Sequence, residues 1–322
     1  MTMHIYPYKF CPIYKERIWG GRNLRRLFGR QFPEGKNIGE SWELADLPGD
    51  SSTVANGPDA GKTLHELTTQ LGGGLLGRAR PMPDGGFPLL LKLLDASDIL
   101  SLQVHPDAAA VKQIGPDAAL KTECWYVLDS RGGFIYKGVQ PGVTAGQFAA
   151  AVAANTVERL IRKVPVTAGD FHYLPAGLVH ALGPGVVVAE VQTPSDTTYR
   201  VTDWGRGREI HVAHSMQCIR FGLTGDSPPG AGGDTLLSTD FFMIKLRSAE
   251  SLAAETLPAG LCTALMVLHA TGQVEIRSDA PVEHILPVGG GDTILLPAAL
   301  RQAAMTVRGK ATWLEITLPD KP

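Results

Sequence analysis

Three segments of the sequence that have the pattern of β-strands carry side chains able to bind a metal ion. In SLQVHPD, strand alternation places Gln103 and His105 on one face and two apolar residues on the other. In KTECWYV, Lys121 and Glu123 share a face by the same rule, and His180 follows the turn-forming segment PAG. Strands of one barrel would bring these side chains together in its interior. Burying a glutamate and two imidazoles without a partner is costly, so a divalent cation is the natural compensation.

The residue types leave the identity of the metal open. Two histidines and a carboxylate suit zinc with one position free for water or substrate, and they equally match the facial triad of non-haem iron. Gln103 would add a fourth ligand with an oxygen donor, which the iron triad does not need. This addition favours a redox-inert cation.

Three cations indicate that the substrate is an anion. Lys92 lies in the apolar run PLLLKLLDA, Lys121 shares a face with a candidate metal ligand, and Arg200 lies in QTPSDTTYRVTDWGR. Lysine binds phosphate as a point charge and arginine binds it as a fork, so we predict a phosphate ester. Two plainer interpretations stay open. Lys92 could be an edge-strand residue whose amine reaches solvent, and Arg200 could form a surface ion pair with Asp196 or Asp203.

Two glycine-rich segments, GRGRE at 205–209 and GGGD at 289–292, do not match a phosphate-binding loop. Such a loop joins a strand to a helix and has the spacing G-x-x-x-x-G-K-[ST]. Neither segment has that spacing, so we predict no phosphate loop at either place.

One structural unit occurs twice in the chain. The segment GDFHYLPAGLVHAL begins at Gly169, and GDTILLPAALRQAA begins 122 positions later at Gly291. The two share the frame G-D-x-x-x-x-P-A, and a Pro-Val pair precedes each copy at the same distance. His180 of the first copy is matched by Gln302 in the second. The repeat therefore predicts similar β units, of which only the first has this candidate ligand.

Upstream of the frame the two copies align at a larger offset. A Val-Leu pair with a nearby glycine recurs at an offset of 140, which aligns Thr263 of the second copy with Glu123 of the first. The first copy therefore holds 18 extra residues, which fall around 141–163. There, Thr144 and Gln147 form a capping-box pattern before an alanine-rich run. We predict a helical insertion at this place and a second unit without a metal site.

Short strand-like runs separated by glycine and proline predict a mainly β fold. The turn-rich segment LTGDSPPGAGGDT at 223–235 has the composition of a linker. We therefore predict a catalytic metal-binding domain at 1–228 and a smaller β domain without metal at 229–322. The repeated strand-turn-strand pattern indicates two cupin-type jelly-roll β-barrels, with a few helices inserted in or flanking the first. Further helices are predicted from Thr63 and within 208–221.

Composition excludes several classes of function. The 322 residues include 30 lysines and arginines against 32 acids, a net charge of −2, so no basic surface indicates nucleic acid or anionic lipid. The start of the chain lacks a signal peptide, and no apolar run approaches the ~18 residues of a membrane span. Four cysteines without paired spacing are typical of a reduced protein. We predict a cytoplasmic protein without disulfides, monomer or homodimer, that binds a small molecule.

Seven segments, in order along the chain, carry a family resemblance: CPIYKERIWGGRNL, GESWEL, FPLLLKLLDA, LSLQVHPD, KTECWYVL, PAGLVHALG and SDTTYRVTDWGR. Together they resemble the short bacterial form of type I phosphomannose isomerase. The resemblance is dense over residues 8–222, and the cupin-like repeat extends it to the end of the sequence. Each motif alone is modest, but seven in the order of the family are specific.

The resemblance implies a zinc enzyme that interconverts mannose 6-phosphate and fructose 6-phosphate through a cis-enediol. It implies that Arg200 is the catalytic arginine and that Asp196 belongs to the active site. The implied metal ligands are Gln103, His105, Glu123 and His180, and the implied active-site lysines are Lys92 and Lys121. Longer family members carry a large helical domain that this chain lacks, so any substrate contacts from that domain must be replaced or missing.

Trp19 and the stretch Glu40–Glu43 are further candidates for lining the site, without an assigned role. Two other functions stay open. A cupin dioxygenase would use iron at the two histidines and the glutamate, and bound iron would distinguish it. A sugar-phosphate sensor would bind without turnover, and the presence of Arg200 beside a full ligand set argues against it.

Overall fold

The computed structural model of the protein describes residues 4–278 and 284–320, and most of its regular structure is β-strand. The strands in these residues are β1 (Tyr8–Cys11), β2 (Ile13–Gly21), β3 (Ile38–Leu44), β4 (Asp46–Leu47), β5 (Asp50–Ser51), β6 (Thr53–Val54), β7 (Leu90–Ala96), β8 (Leu102–Val104), β9 (Glu123–Ser130), β10 (Phe134–Val139), β11 (Ile161–Pro165), β12 (Phe171–Leu174), β13 (His180–Leu182), β14 (Val186–Gln192), β15 (Tyr199–Thr202), β16 (Thr235–Ser238), β17 (Met243–Glu250), β18 (Ala253–Thr256), β19 (Thr263–Ser278), β20 (His284–Pro287), β21 (Thr293–Leu296) and β22 (Ala303–Thr317).

Short helices punctuate the strands. Within the described residues they are α1 (Asn23–Phe28), α2 (Leu64–Leu71), α3 (Gly73–Leu76), α4 (Ala108–Ile114), α5 (Ala145–Ala153), α6 (Val212–Cys218) and a 3-10 turn at Val157–Leu160. The side chains of Thr63 and Thr144 cap α2 and α5 in capping boxes with Glu66 and Gln147, which confirms both predicted helix starts. None of the helices in the part of the chain described here has the length and apolar character to cross a membrane.

Two antiparallel sheets form the body of the N-terminal β region, and β4 and β5 form a small two-stranded sheet beside them in sequence. One has the strand order β11-β10-β13-β8-β15 and the other the order β12-β9-β14-β7-β2-β3. A core fills the space between them, with Ile135 and Leu182 from the first sheet against Trp125 and Val188 from the second. This is the predicted jelly-roll arrangement, although the pairings among the described strands leave its sheets open at the edges.

The C-terminal β region is one sheet that curls on itself. Its two long strands, β19 and β22, pair along nearly their full length. Val267 and Ile276, from opposite ends of β19, lie in the same apolar core as Met305 and Trp313 of β22. In the described residues after 229, the regular structure consists of strands alone. Strand β1 also joins this sheet through β21, and the boundary after residue 228 stays a prediction.

The backbone hydrogen bonds confirm the internal repeat at both of its offsets. The N–H of Gly169 donates to the carbonyl of Val127 at 2.9 Å, and the N–H of Gly291 donates to the carbonyl of Val267 at 2.7 Å. The strand pairs match as well, since Leu174 lies opposite Glu123 as Leu296 lies opposite Thr263. The extra residues of the first copy form the predicted helical insertion, built from α5 and the 3-10 turn.

Candidate active site

Both sheets of the N-terminal region contribute to one polar cluster. Glu123 is the first residue of β9 in the six-stranded sheet, and His180 is the first residue of β13 in the five-stranded sheet. The register pairs His180 with Gln103 of β8, and Gln103 in turn with Arg200 of β15. His105 follows β8 by one residue. The alternation of β8 and the start of β9 therefore bring the predicted ligands to one place.

The cluster of His105, Glu123 and His180 is deeply buried. One potential ligand atom from each residue lies within 4.8 Å of those from the other two, and this is the one group of three such residues among those the structure describes. His180 Nε2 lies 3.1 Å from Glu123 Oε1, and His105 Nε2 lies 3.4 Å from Glu123 Oε2. Two nitrogens and a carboxylate at this spacing can hold a metal ion.

The backbone fixes the orientation of both imidazole rings. His105 Nδ1 lies 2.9 Å from the carbonyl oxygen of Thr197, and His180 Nδ1 lies 2.9 Å from that of Leu178. A carbonyl can only accept, so each Nδ1 carries the proton and each Nε2 of a neutral ring presents a lone pair. Both lone pairs therefore point toward the oxygens of Glu123.

This arrangement leaves buried polar atoms unsatisfied. Within the described residues, neither the Nε2 atom of His105 nor either oxygen of Glu123 makes a hydrogen bond of acceptable geometry. Burial, aided by the charge of Lys121, lowers the pKa of His105 to about 3. Burial alone would raise the pKa of Glu123, but Lys121 and His105 hold it well below its ordinary value. A neutral imidazole and an ionised carboxylate are the forms that bind metals, so the site fits a divalent cation.

The two predicted lysines are buried and already paired with carboxylates. Lys121 Nζ lies 3.0 Å from Glu123 Oε2. Lys92 Nζ lies 3.4 Å from Glu190 and 3.7 Å from Glu40. Strand β7, which carries Lys92, is flanked by β14 and β3, so the interpretation of Lys92 as an edge-strand residue is wrong. The anions that it meets belong to the protein.

A cavity of about 470 Å³ lies next to the cluster, and its volume suits a small-molecule ligand. Five of the predicted site residues line it: Lys92, Gln103, Lys121, Asp196 and Arg200. Trp19 and Glu40 also line it. Trp42 and Glu43 do not: Trp42 packs beneath the ammonium of Lys92, and Glu43 is buried against Arg30.

Arg200 stands out among the cations of the cavity because no carboxylate of the described residues lies within ion-pair distance of it. Its guanidinium donates to the backbone carbonyl of Glu209 at 2.9 Å. The interpretation of Arg200 as a partner of Asp196 or Asp203 is wrong, since Asp203 instead binds Arg206 and Arg208. The positive charge of Arg200 is therefore available to a ligand.

The cavity also contains residues that the sequence interpretation missed. Glu190 lies in the apolar run VVVAEVQT, where a buried acid is as unusual as the lysine of PLLLKLLDA, and burial raises its pKa. Arg17 lies in the segment YKERIWGG, and Arg208 lies in GRGRE, which lacks the pattern of a phosphate loop. Only the folded chain brings these three side chains to one cavity.

A jelly-roll core with a buried His-Glu-His cluster beside a charged cavity defines the chain as a cupin-type protein with a cluster that can hold a metal ion. The family model described as phosphomannose isomerase type I, catalytic domain, matches residues 8–128 of the sequence. The mannose-6-phosphate isomerase of Streptococcus mutans is 36% identical over 241 residues, which cover 71% of this chain and 74% of that one. A mannose-6-phosphate isomerase of Bacillus subtilis is 37% identical over 222 residues, or 66% and 68% of the two chains.

Solved structures of such isomerases have the same fold as this chain. The crystal structure of mannose 6-phosphate isomerase from Bacillus subtilis matches with a TM-score of 0.84 at 28% identity and covers 96% of this chain and 99% of its own. A phosphomannose isomerase variant from Salmonella typhimurium matches with a TM-score of 0.76 at 18% identity and supports the fold alone. The chain belongs to the type I phosphomannose isomerase family.

Proposed function

We propose that the protein is a zinc-dependent aldose-ketose isomerase that interconverts mannose 6-phosphate and fructose 6-phosphate. Membership of the type I phosphomannose isomerase family supports the reaction. The charged cavity beside the cluster supports a small anionic substrate.

One observation carries the proposal: two imidazole lone pairs and a carboxylate face one another in a buried cluster. Three electron-rich groups repel each other unless a cation lies among them. The donor set of His105, Glu123 and His180 matches zinc sites that keep a position free for substrate.

Gln103 is the proposed fourth ligand. Its side-chain nitrogen lies 3.3 Å from His180 Nε2. The two ends of an amide have nearly the same shape, so a rotation by 180° would direct the amide oxygen toward the cluster instead. A neutral oxygen donor would then join the set without adding charge, and because zinc can accept a fifth ligand, the site would still have room for substrate.

The reaction moves a proton from C2 to C1 of the opened sugar through a cis-enediol. Bound zinc would supply Lewis-acid polarisation of the sugar oxygens. Arg200 offsets the negative charge that develops on the enediol, because its guanidinium lines the cavity and has no carboxylate partner among the described residues. Lys121 holds Glu123 ionised and in place at 3.0 Å. Asp196 lines the same cavity and is proposed to bind sugar hydroxyls.

A coupled assay for fructose 6-phosphate tests the proposal. The purified protein should convert mannose 6-phosphate, lose this activity to a chelator and regain it with zinc. Metal analysis of the protein as purified is the companion measurement. Consumption of oxygen by protein with bound iron, with no fructose 6-phosphate formed, would overturn the isomerase in favour of a dioxygenase.

A further inference from the structure

The cations that line the cavity differ in exposure. The side chains of Lys92 and Lys121 are each 5% exposed, and both lie against carboxylates. Those of Arg17 and Arg208 are 33% and 28% exposed. The cavity therefore has a buried floor, formed by Lys92 and Lys121 beside the His-Glu-His cluster. Its more exposed mouth carries Arg17 and Arg208.

The floor is poorly suited to a phosphate dianion. Lys121 is matched by Glu123, and Lys92 lies between two acids, Glu40 and Glu190. A dianion placed against these pairs would meet three carboxylates together with the two ammonium groups. The gain from the lysines is then largely offset by repulsion.

At the mouth, Arg208 belongs to a group with a surplus positive charge. Its Nε and Nη2 atoms donate to the two oxygens of Asp203, at 2.9 and 2.5 Å. Arg206 Nη2 donates to the same carboxylate at 2.9 Å, so two guanidinium groups share this acid. In the described part of the chain, the Nη1 atom of Arg208 has no hydrogen-bond acceptor. The shared carboxylate thus holds Arg208 in place and leaves its Nη1 atom able to donate to a ligand.

Arg17 is likewise held by a carboxylate, that of Glu40, which it shares with the buried Lys92. Its Nε atom donates to Glu40 at 2.6 Å, and its Nη1 atom lies 3.4 Å from the carbonyl oxygen of Glu16. Burial and the neighbouring charges of Arg208 and Arg17 lower the pKa of Arg200. Three like charges around one cavity repel each other, and an anion relieves that repulsion.

We propose that Arg208 and Arg17 bind the phosphate group of the substrate at the mouth of the cavity and set the preference for phosphorylated sugars. The inference rests on the proposed isomerase function, and it assigns the phosphate to arginines outside the predicted set of site residues. Arginine suits this role because its planar fork matches phosphate oxygens in pairs. A subsite that binds the unreactive phosphate equally in the ground state and the transition state changes KM and leaves kcat nearly unaltered.

Arg208→Gln is the central variant, and Arg206→Gln is its matched control. Both remove one guanidinium from Asp203, but only Arg208 lines the cavity. For Arg208→Gln we expect KM for mannose 6-phosphate to rise about 10- to 100-fold with kcat nearly unchanged, the pattern of lost uniform binding. Arg17→Gln should act in the same direction. Inhibition by inorganic phosphate should weaken in parallel, whereas Arg206→Gln should leave KM and inhibition unchanged.

Two results would overturn the inference. One is an unchanged KM in Arg208→Gln. The other is an equal rise in KM in Arg206→Gln, which would show that the rise comes from the loss of a hydrogen bond to Asp203 and not from the loss of a phosphate ligand. If Arg208→Gln does not fold, Arg208→Lys keeps a cation near Asp203 but lacks the fork. It should still raise KM, and a KM equal to that of the unsubstituted protein would contradict the proposal.

Calorimetric titration with inorganic phosphate separates this inference from the proposed function. Phosphate binding that is lost in Arg208→Gln supports the subsite even if the protein forms no fructose 6-phosphate, in which case only the isomerase proposal fails. Conversely, isomerase activity together with unchanged phosphate binding in Arg208→Gln leaves the function standing and removes the subsite. Comparing free phosphate with mannose 6-phosphate shows whether the sugar adds to the binding.

Discussion

The N-terminal and C-terminal β regions are built on the same backbone frame, yet among the residues described only the first holds a cluster of side chains able to bind a metal ion. In both, the glycine of the G-D frame donates to a valine carbonyl of a neighbouring strand, at 2.9 Å from Gly169 and 2.7 Å from Gly291. The frame therefore specifies the strand pairing. It does not specify the chemistry.

The difference lies in the side chains placed on that frame. Glu123 and Thr263 occupy the same register position, and the Thr263 hydroxyl donates to a backbone carbonyl at 3.3 Å. His180 is 1% exposed and faces the cluster, whereas Gln302 lies exposed at the surface. The N-terminal region thus gathers three polar groups that a cation would satisfy, whereas the C-terminal region has a hydrogen-bonded hydroxyl and an exposed amide at the two matching positions.

Removing the matched residues should have opposite outcomes in the two regions. His180→Ala takes away one of two imidazole ligands, so metal affinity should fall by more than the roughly 10- to 100-fold that loss of an outer-shell partner costs. Gln302→Ala should change neither metal content nor activity, because the side chain is exposed. Elemental analysis after dialysis measures both. A full metal complement in His180→Ala would contradict the assignment.

Substituting Arg200 separates chemistry from metal binding within the first region. Arg200→Ala should lower kcat by about 10²- to 10³-fold, the usual cost of losing a group that stabilises developing charge. Metal content should stay at the level of the unsubstituted protein, because Arg200 does not contact the cluster in the described contacts. Arg247→Ala, which breaks exposed ion pairs in the C-terminal region, is the control and should leave kcat unchanged. Parallel loss of metal and turnover in Arg200→Ala would make its role structural.

Buried charged groups should also make the stability of the N-terminal β region more sensitive to acid than that of the C-terminal β region. Although burial opposes ionisation, Lys92 and Arg17 lower the pKa of Glu40 from 4.5 to about 2. Because the pKa in the folded state is depressed, this stabilisation is present above pH 4.5 and is lost as the pH falls toward 2. It amounts to on the order of 3 kcal/mol at neutral pH.

Urea unfolding of Glu40→Gln between pH 7 and pH 3 tests this account. The variant should be less stable than the unsubstituted protein at pH 7. The difference in their free energies of unfolding should become smaller as the pH is lowered. Glu250→Gln, which removes an exposed ion pair with Lys310 in the C-terminal region, should show little difference at any pH. A gap in Glu40→Gln that stays constant with pH would contradict the assignment of the shift to this carboxyl.

Much of the metal site could be predicted from local pattern. Alternation in SLQVHPD placed Gln103 and His105 together, and the repeat identified His180 by its lack of a counterpart. The arginines of the cavity mouth could not be predicted in this way. Arg17 and Arg208 lie 191 positions apart in segments without a shared pattern, and only tertiary pairing brings both to one cavity.

The C-terminal strands show a second limit of sequence patterns. The strand-like runs 261–270 and 273–278 are separated in the sequence by Thr271 and Gly272, but the structure has one continuous strand, β19. Gly272 lies opposite Gly309 of β22, and a side chain on Gly272 would meet the carbonyl oxygen of Arg308 at 2.2 Å. The glycine thus permits a close approach of two backbones within one long strand.

Zinc titration of the metal-free protein tests the central claim most directly, because it counts the sites and measures the chemistry together. Fructose 6-phosphate formation should rise in proportion to added zinc and stop rising at one ion per chain, since one β region holds the His-Glu-His cluster and its counterpart in the described part of the other does not. Full activity in protein shown to be free of metal, or activity that keeps rising to two ions per chain, would contradict the account.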